Sequence, residues 1–244
     1  MPQRKAAVIL AAGKGKRMKS DLPKVLHEIN GRPMVAILLD TLAPLGFDRT
    51  VVVIGHKGEL VQQALADYAV DFVWQHQQLG TAHAVDMARD VLADFEGITL
   101  VAAGDVPFLS ADSVARLMQV HERSGAAATC LSAEFDDPTG YGRIVRDGES
   151  DFIKDIVEHK DASEDVRRIK EINSGTFCFD NRALFEAITA IDNKNVQGEY
   201  YLTDAVKIMH GKGLRVAVQR AADPGEVTGV NSKEQLERLR RHIK

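Results

Sequence analysis

Ala6-Ala7-Val8-Ile9-Leu10-Ala11-Ala12-Gly13-Lys14-Gly15-Lys16-Arg17-Met18, followed by Leu22-Pro23-Lys24, is the stretch from which the rest of the chain is read. An unbroken apolar run without polar alternation predicts a strand buried on both faces, ending where glycine and charge begin. Gly13 and Gly15 permit backbone angles closed to other residues, and successive N–H groups after a strand form a concave anion site. Lys14, Lys16, Arg17 and Lys24 place cations around it, so a polyphosphate is the expected guest. A solvated surface loop has the same composition. Two familiar phosphate loops fit less well. A P-loop requires Gly-Lys-Ser/Thr where this chain reads Gly15-Lys16-Arg17, and the dinucleotide fingerprint of a dehydrogenase requires a third glycine where Met18 stands.

Beyond this stretch, strand and helix patterns alternate. Pro33 to Leu45 carries Val35, Leu38, Leu39 and Leu42 at helical spacing with Gly46 as a stop, and Val51 to Ile54 reads as a second buried strand. Leu60, Val61, Ala64 and Leu65 mark a helix, Val70 to Trp74 a third strand, and a helix after it is expected to run through Val85, Ala88 and Leu92. Ile98 to Ala102 is a fourth strand. This cadence predicts an α/β, Rossmann-like, mostly parallel sheet with helices on both faces, whose ligands bind beyond the carboxyl ends of the strands. Further strands are expected over Ala126–Phe135 and Phe177–Phe179, with a helix through Ala205, Val206, Ile208 and Met209. Ser232 and Gln235 form a capping box for a last helix carrying Leu239 and Ile243.

The 244 residues can bury a full core. A formal charge of -4 argues against nucleic acid or an anionic membrane as the main partner. No run approaches the roughly 18 apolar residues of a membrane span, and Met1 to Lys5 lacks a following signal-peptide core, so a cytoplasmic location is expected. Cys130 and Cys178 lie in apolar strand-like runs without a Cys or His partner at metal spacing, and read as buried free thiols.

Leu10 to Met18 with Leu22-Pro23-Lys24 resembles the signature of the sugar-1-phosphate nucleotidyltransferases. Its wording is nearest to the uridyltransferase part of the bacterial bifunctional N-acetylglucosamine-1-phosphate uridyltransferase/glucosamine-1-phosphate acetyltransferases, and the resemblance covers nearly the whole chain. It implies a single domain over 1–244 of the nucleotide-diphospho-sugar transferase type, with about 1–110 binding the nucleotide, a smaller lobe of about 111–231 binding the sugar, and a C-terminal helix over 232–244. The implied reaction joins UTP to N-acetylglucosamine 1-phosphate, with magnesium, and yields UDP-N-acetylglucosamine and pyrophosphate. Such enzymes often continue into hexapeptide repeats that transfer acetyl groups. This sequence ends before any such repeat, so no acetyl transfer is expected of it.

The same resemblance assigns site residues. Leu10, Ala11, Ala12 and Gly13 would contact the nucleotide, Arg17 the leaving phosphates and Lys24 the reacting ones. Gln75-His76-Gln77-Gln78-Leu79-Gly80-Thr81 matches the family's base-recognition segment. Gln75 and Gly80 would read the uracil and Thr81 would lie near the sugar. By residue chemistry alone an amide supplies the donor and acceptor that an imide edge requires, although such polar residues also serve as an ordinary connector. Asp105 follows Gly104 just past a buried strand, where a carboxylate suits magnesium; a turn or cap is the plain alternative, for which Ser110-Ala111-Asp112 competes better. Asn231 would share that magnesium, although its place beside the capping box also suits a second cap. Gly140, Glu158 and Asn173 would contact the hexose. Glu199, Tyr200 and Asp204 read equally as pocket scaffolding or as hydrogen-bonded caps. Ala103 departs from the family's usual tyrosine, which leaves open another sugar such as glucose 1-phosphate. A non-catalytic UDP-sugar-binding protein is the remaining alternative.

Overall fold

The computed structural model describes residues 3–148 and 150–242; the side chains of Lys16 and of residues 238–242, Leu239 included, and Ile243 altogether, lie outside the described residues. From the N-terminus, β1 (Lys5–Leu10) leads through the glycine loop and a short hairpin, β2 (Glu28–Ile29) with β3 (Arg32–Pro33), into α1 (Met34–Leu42). Next come β4 (Arg49–Ile54), α2 (Gly58–Ala64), β5 (Asp71–Trp74), α3 (Thr81–Asp86) and β6 (Ile98–Ala103). The middle of the chain builds α4 (Ala111–Ser124), β7 (Ala128–Glu134), β8 (Arg143–Arg146), β9 (Ile153–Val157), the single turn α5 (Glu164–Arg167) and β10 (Glu171–Asp180). It closes with α6 (Asn181–Ile188), α7 (Asp204–Gly211), β11 (Val216–Arg220) and α8 (Lys233–His242).

One nine-stranded sheet runs in the order β11-β7-β10-β6-β1-β4-β5, with β8 added to β10 and β9 to β8. Strands β6, β1, β4 and β5 are parallel. β10 enters antiparallel between β6 and β7, and β11 is parallel to β7. The unbroken apolar run of β1 has a direct cause. Ala6 and Val8 face a core shared with Val51, Val53, Val85 and Leu92, whereas Ala7 and Ile9 face a second core shared with Val35, Leu38, Val52 and Ile54. Successive side chains of a strand point to opposite faces, so a strand covered by helices on both sides needs no polar position. Larger aliphatic side chains such as Val8 and Ile9 each contribute roughly 1.5–3 kcal/mol on burial.

Several elements differ from their expected form. α3 ends at Asp86 rather than continuing to Leu92. Turns carry the chain on, with the Leu92 N–H shared between the Ala88 carbonyl (3.0 Å) and that of Arg89 (3.2 Å). Val85, Ala88 and Leu92 are nonetheless fully buried, so their spacing reported the buried face and not the length of regular helix. The strand expected at Phe177–Phe179 begins at Glu171 and is broken by a bulge between Asn173 and Phe177. Asn173 Oδ1 accepts from Gly175 N–H at 2.9 Å, which satisfies the backbone where the ladder is interrupted. Ser110 caps α4, accepting from Ser113 N–H at 3.1 Å, which leaves Asp105 without that duty. Ser232 and Gln235 bond reciprocally at 3.1 and 3.2 Å, as a capping box does. Both cysteines are free and buried, and burial pushes both thiols up.

Candidate functional site

Beyond the carboxyl ends of β1, β5 and β6 lies a cleft of about 270 Å³. Leu10, Ala11, Ala12 and Gly13 line it from the exit of β1, Lys24 from the following turn, Gln75, Gln78, Gly80 and Thr81 from the segment between β5 and α3, and Ala103 and Asp105 from the end of β6. Glu199 completes the wall.

At one side of this cleft three distant segments meet. Lys24 Nζ is ion-paired with Asp105 Oδ2 and donates to Asn231 Oδ1 at 3.0 Å. Arg17 donates to the same Asn231 oxygen at 2.8 Å. The Lys24 and Asp105 side chains are 19% and 13% exposed, so their attraction is screened less than that of a surface pair. Pro23 and a single 3-10 turn, whose Val25 and Leu26 are buried, fix the Lys24 backbone. Gly15, with φ of +56°, lets the loop fold onto that turn, because a Cβ there would stand 2.7 Å from Lys24 Cβ. The main chain closes the cluster as well, through Val230 N–H to the Asp105 carbonyl at 2.9 Å. Among the described residues no group of three or more His, Cys, Asp and Glu side chains is placed to hold a metal ion. Asp105 and Asn231 do turn two oxygens toward a single cation, the Lys24 ammonium.

The segment Gln75 to Thr81 is held from within. Gln75 is 3% exposed, and its Nε2 donates to the Gly80 carbonyl at 3.0 Å and faces His83 Nδ1 at 3.0 Å. Gln78 donates to the Gln75 carbonyl at 2.9 Å. Gly80 adopts φ of +123°, and a Cβ on it would fall 2.4 Å from the Tyr200 carbonyl oxygen. The close approach that demands glycine is therefore that of the chain's own 199–201 segment, which also bonds Ala82 N–H through the Tyr200 carbonyl at 2.9 Å. Thr81 Oγ1 accepts from Leu202 N–H at 2.9 Å, so it too ties α3 to this segment.

The residues expected to meet a sugar divide. A Cβ at Gly140 would meet nothing within 4 Å. Gly142, two residues on, is the glycine in contact, with Glu158 Oε1 at 3.5 Å and Asn173 Cβ at 3.6 Å from the corresponding point. The Asn173 side-chain Oδ1 accepts from Gly175 N–H, and the Cys130 thiol lies 3.3 Å from it. Burial raises the Glu158 pKa, opposed by the hydrogen bond from the Thr203 hydroxyl. Tyr141, which the sequence did not single out, sits within electrostatic reach of Asp105 and Arg17 and forms a backbone hydrogen bond with Gly229; burial, then the Asp105 charge, push its pKa up. Its position between Gly140 and Gly142 was its only visible mark.

A larger cavity of about 500 Å³ also touches Glu158, but it is lined by Asp155, Asp161, Asp192 and Asp204, with Lys194 and Lys207. That carboxylate-rich wall repels phosphates, which favours the smaller cleft as the substrate site. Burial, and next the Asp155 charge, raise Asp204 to about 6, with Lys207 opposing. The folded pKa exceeds the unfolded one, so this carboxyl's contribution to stability is complete below about 3.8 and is lost as the pH rises through about 6. Asp204→Asn is expected to stabilise the protein at pH 8 by about 1 kcal/mol after allowance for partial exposure, and to change nothing near pH 4. Thermal unfolding at the two pH values checks this. Equal shifts at both would contradict it.

The family described as MobA-like NTP transferase domain matches residues 7–199. "Bifunctional protein GlmU" of Bacillus cereus (strain G9842) is 50% identical over 230 residues, covering 94% of this chain and 50% of the relative. The protein of the same name from Bacillus thuringiensis (strain Al Hakam) gives the same figures. The chain thus spans about half the length of the curated relatives it matches. Among solved structures, a UDP-glucose pyrophosphorylase complexed with UDP-glucose superposes with a TM-score of 0.77 at 17% identity, covering 98% of each chain, which shows a shared fold.

Proposed function

The chain belongs to the MobA-like NTP transferase domain family, and from that premise we propose that it is a uridylyltransferase. It joins UTP to N-acetylglucosamine 1-phosphate in the cytoplasm, where these phosphorylated substrates are held, releasing pyrophosphate and UDP-N-acetylglucosamine. The observation that carries this reading is the meeting of Arg17, Lys24, Asp105 and Asn231 at one edge of the cleft that Gln75 and Gly80 line. Identity of 50% to proteins named GlmU supports the choice of sugar and base.

The sugar phosphate oxygen attacks the α-phosphorus of UTP in line, and both partners are anionic. The nucleophile is already ionised, so no general base is required and the barrier is set by alignment and by charge repulsion. Lys24 faces the α-phosphate and the attacking phosphate, where negative charge concentrates in the transition state. Arg17 and the loop amides after Gly13 hold the leaving β- and γ-phosphates. Asp105 and Asn231 would hold magnesium, a donor set suited to an ion that takes one or two protein oxygens and leaves its remaining positions to phosphates and water. When bound, the ion neutralises phosphate charge and polarises phosphoryl oxygens. Glu158 and Asn173 stand together beside Gly142, and with Gly140 of the same turn they would contact the hexose. The nucleotide part is then about 1–110 and the sugar part about 111–231 of one domain.

Pyrophosphate release from UTP and N-acetylglucosamine 1-phosphate with magnesium tests the proposal, run beside glucose 1-phosphate because Ala103 removes the family's tyrosine. Turnover confined to another sugar would refute it. Gln75→Ala is expected to lower the preference for UTP over CTP at least roughly tenfold, because a reader that bonds the base edge rejects a base lacking the partner group. The ratio of kcat/KM values measures it.

A further inference from the structure

Gln75 carries two amide hydrogens on Nε2, and both are engaged inside the protein. One is directed to the Gly80 carbonyl at 3.0 Å and the other to His83 Nδ1 at 3.0 Å. The first fixes which end of the amide is nitrogen, since only a donor can face a carbonyl oxygen. That carbonyl cannot turn away, because it also accepts Ala84 N–H at 3.1 Å in the first turn of α3. The nitrogen so fixed can donate to His83 only if Nδ1 is bare. The ring is therefore the neutral tautomer with its proton on Nε2. The Gln75 main chain is equally held, by Gln75 N–H to the Ile54 carbonyl at 2.7 Å and by Gln78 Nε2 to its own carbonyl at 2.9 Å. With both amide hydrogens committed, the oxygen is the polar atom that Gln75 has left for a ligand in the cleft it lines.

We infer that His83 is a positioning residue for base selection: its bare Nδ1 holds the Gln75 amide so that only an acceptor faces the base. This rests on the proposed reading of Gln75 as the residue that meets the nucleotide base. An acceptor alone matches uracil, whose N3 carries a hydrogen, and opposes cytosine, whose N3 presents a lone pair in the same place. Without the His83 acceptor one amide hydrogen loses its partner. The Gly80 carbonyl then restrains the amide through one bond in place of two, so rotation that offers N–H to the cleft, which cytosine can accept, costs less. His83 touches no substrate itself. Its effect passes through Gln75, so it appears in selectivity between bases more than in the rate with saturating UTP.

The test uses the full chain with UTP and CTP in turn. His83→Leu is expected to lower the UTP-to-CTP ratio of kcat/KM at least tenfold, while His83→Asn, whose Oδ1 can stand where Nδ1 stood, restores most of it. A long-range proton–nitrogen NMR correlation of the ligand-free wild-type chain, which depends on no variant folding, is expected to show His83 Nδ1 without a proton. A proton on Nδ1, a His83→Leu ratio within twofold of wild type beside a collapsed Gln75→Ala ratio, or no rescue by His83→Asn would each overturn the inference. A Gln75→Ala ratio equal to wild type would instead refute the base-reading role on which it rests.

Discussion

Lys24→Ala is expected to lower kcat for pyrophosphate release by roughly 10²–10³-fold, about 3–4 kcal/mol of barrier, with a smaller change in KM for either substrate. The size follows from placement. Lys24 is partly buried and held by a turn whose neighbours Val25 and Leu26 are core residues, so its ammonium is already positioned before the reaction begins. A charge fixed in advance at the point where two phosphates are forced together stabilises the transition state without reorganising, and water filling the gap would have to reorient. Lys24→Arg is expected to recover little, because a planar guanidinium cannot replace a compact ammonium between Asp105 and Asn231. Single-turnover measurement separates the chemical step from binding. A Lys24→Ala protein with near-native kcat would show that the charge acts elsewhere.

The second large effect is that of Asp105→Ala, expected to lower magnesium-dependent turnover by roughly a thousandfold or more while the fold survives, since it removes the carboxylate that would hold the ion neutralising the phosphates, and losing such a fixed charge-stabilising group costs several kcal/mol. Asp105 joins the tertiary structure by its backbone carbonyl, which accepts Val230 N–H at 2.9 Å and remains in the alanine variant. What is lost is the carboxylate that faces Lys24. Circular dichroism and thermal unfolding should stay close to wild type, and manganese binding followed by electron paramagnetic resonance should weaken. If turnover were lost only because the variant failed to fold, the assignment of Asp105 to the cation would lose its support.

Both residues were visible in the sequence, as was much of the scaffold. The apolar run of β1 announced a strand covered on both faces. The glycine and lysine after it announced where that strand had to stop, and Ser110 and Ser232 announced helix starts that the structure shows as side-chain caps. Other parts were not legible. Of β10 only Phe177–Phe179 read as strand, because its bulge interrupts the apolar pattern with Asn173, Ser174, Gly175 and Thr176, and the acceptor for the Asn173 N–H is the Gly142 carbonyl, far away in sequence. α6 and β11 had no distinctive pattern beyond ordinary mixed composition. That Tyr200 presses on Gly80, so that only glycine fits there, had no mark in the sequence.

The sequence by itself therefore determined the alternation of strands and helices, the position of the loop that follows β1, and which residue types stand ready for phosphate and base. These depend on local periodicity and on turn chemistry, whose physical range is a few residues. Only the tertiary structure decided that Lys24 and Asn231, 207 positions apart, share one hydrogen bond beside Asp105, that Gly142 stands with Glu158 and Asn173, and that His83 Nδ1 lies against the Gln75 amide. Those outcomes are set by the order and register of strands in the sheet. Backbone pairing is nearly indifferent to side-chain identity, so that order emerges from packing the whole core at once and is written at no single place along the chain.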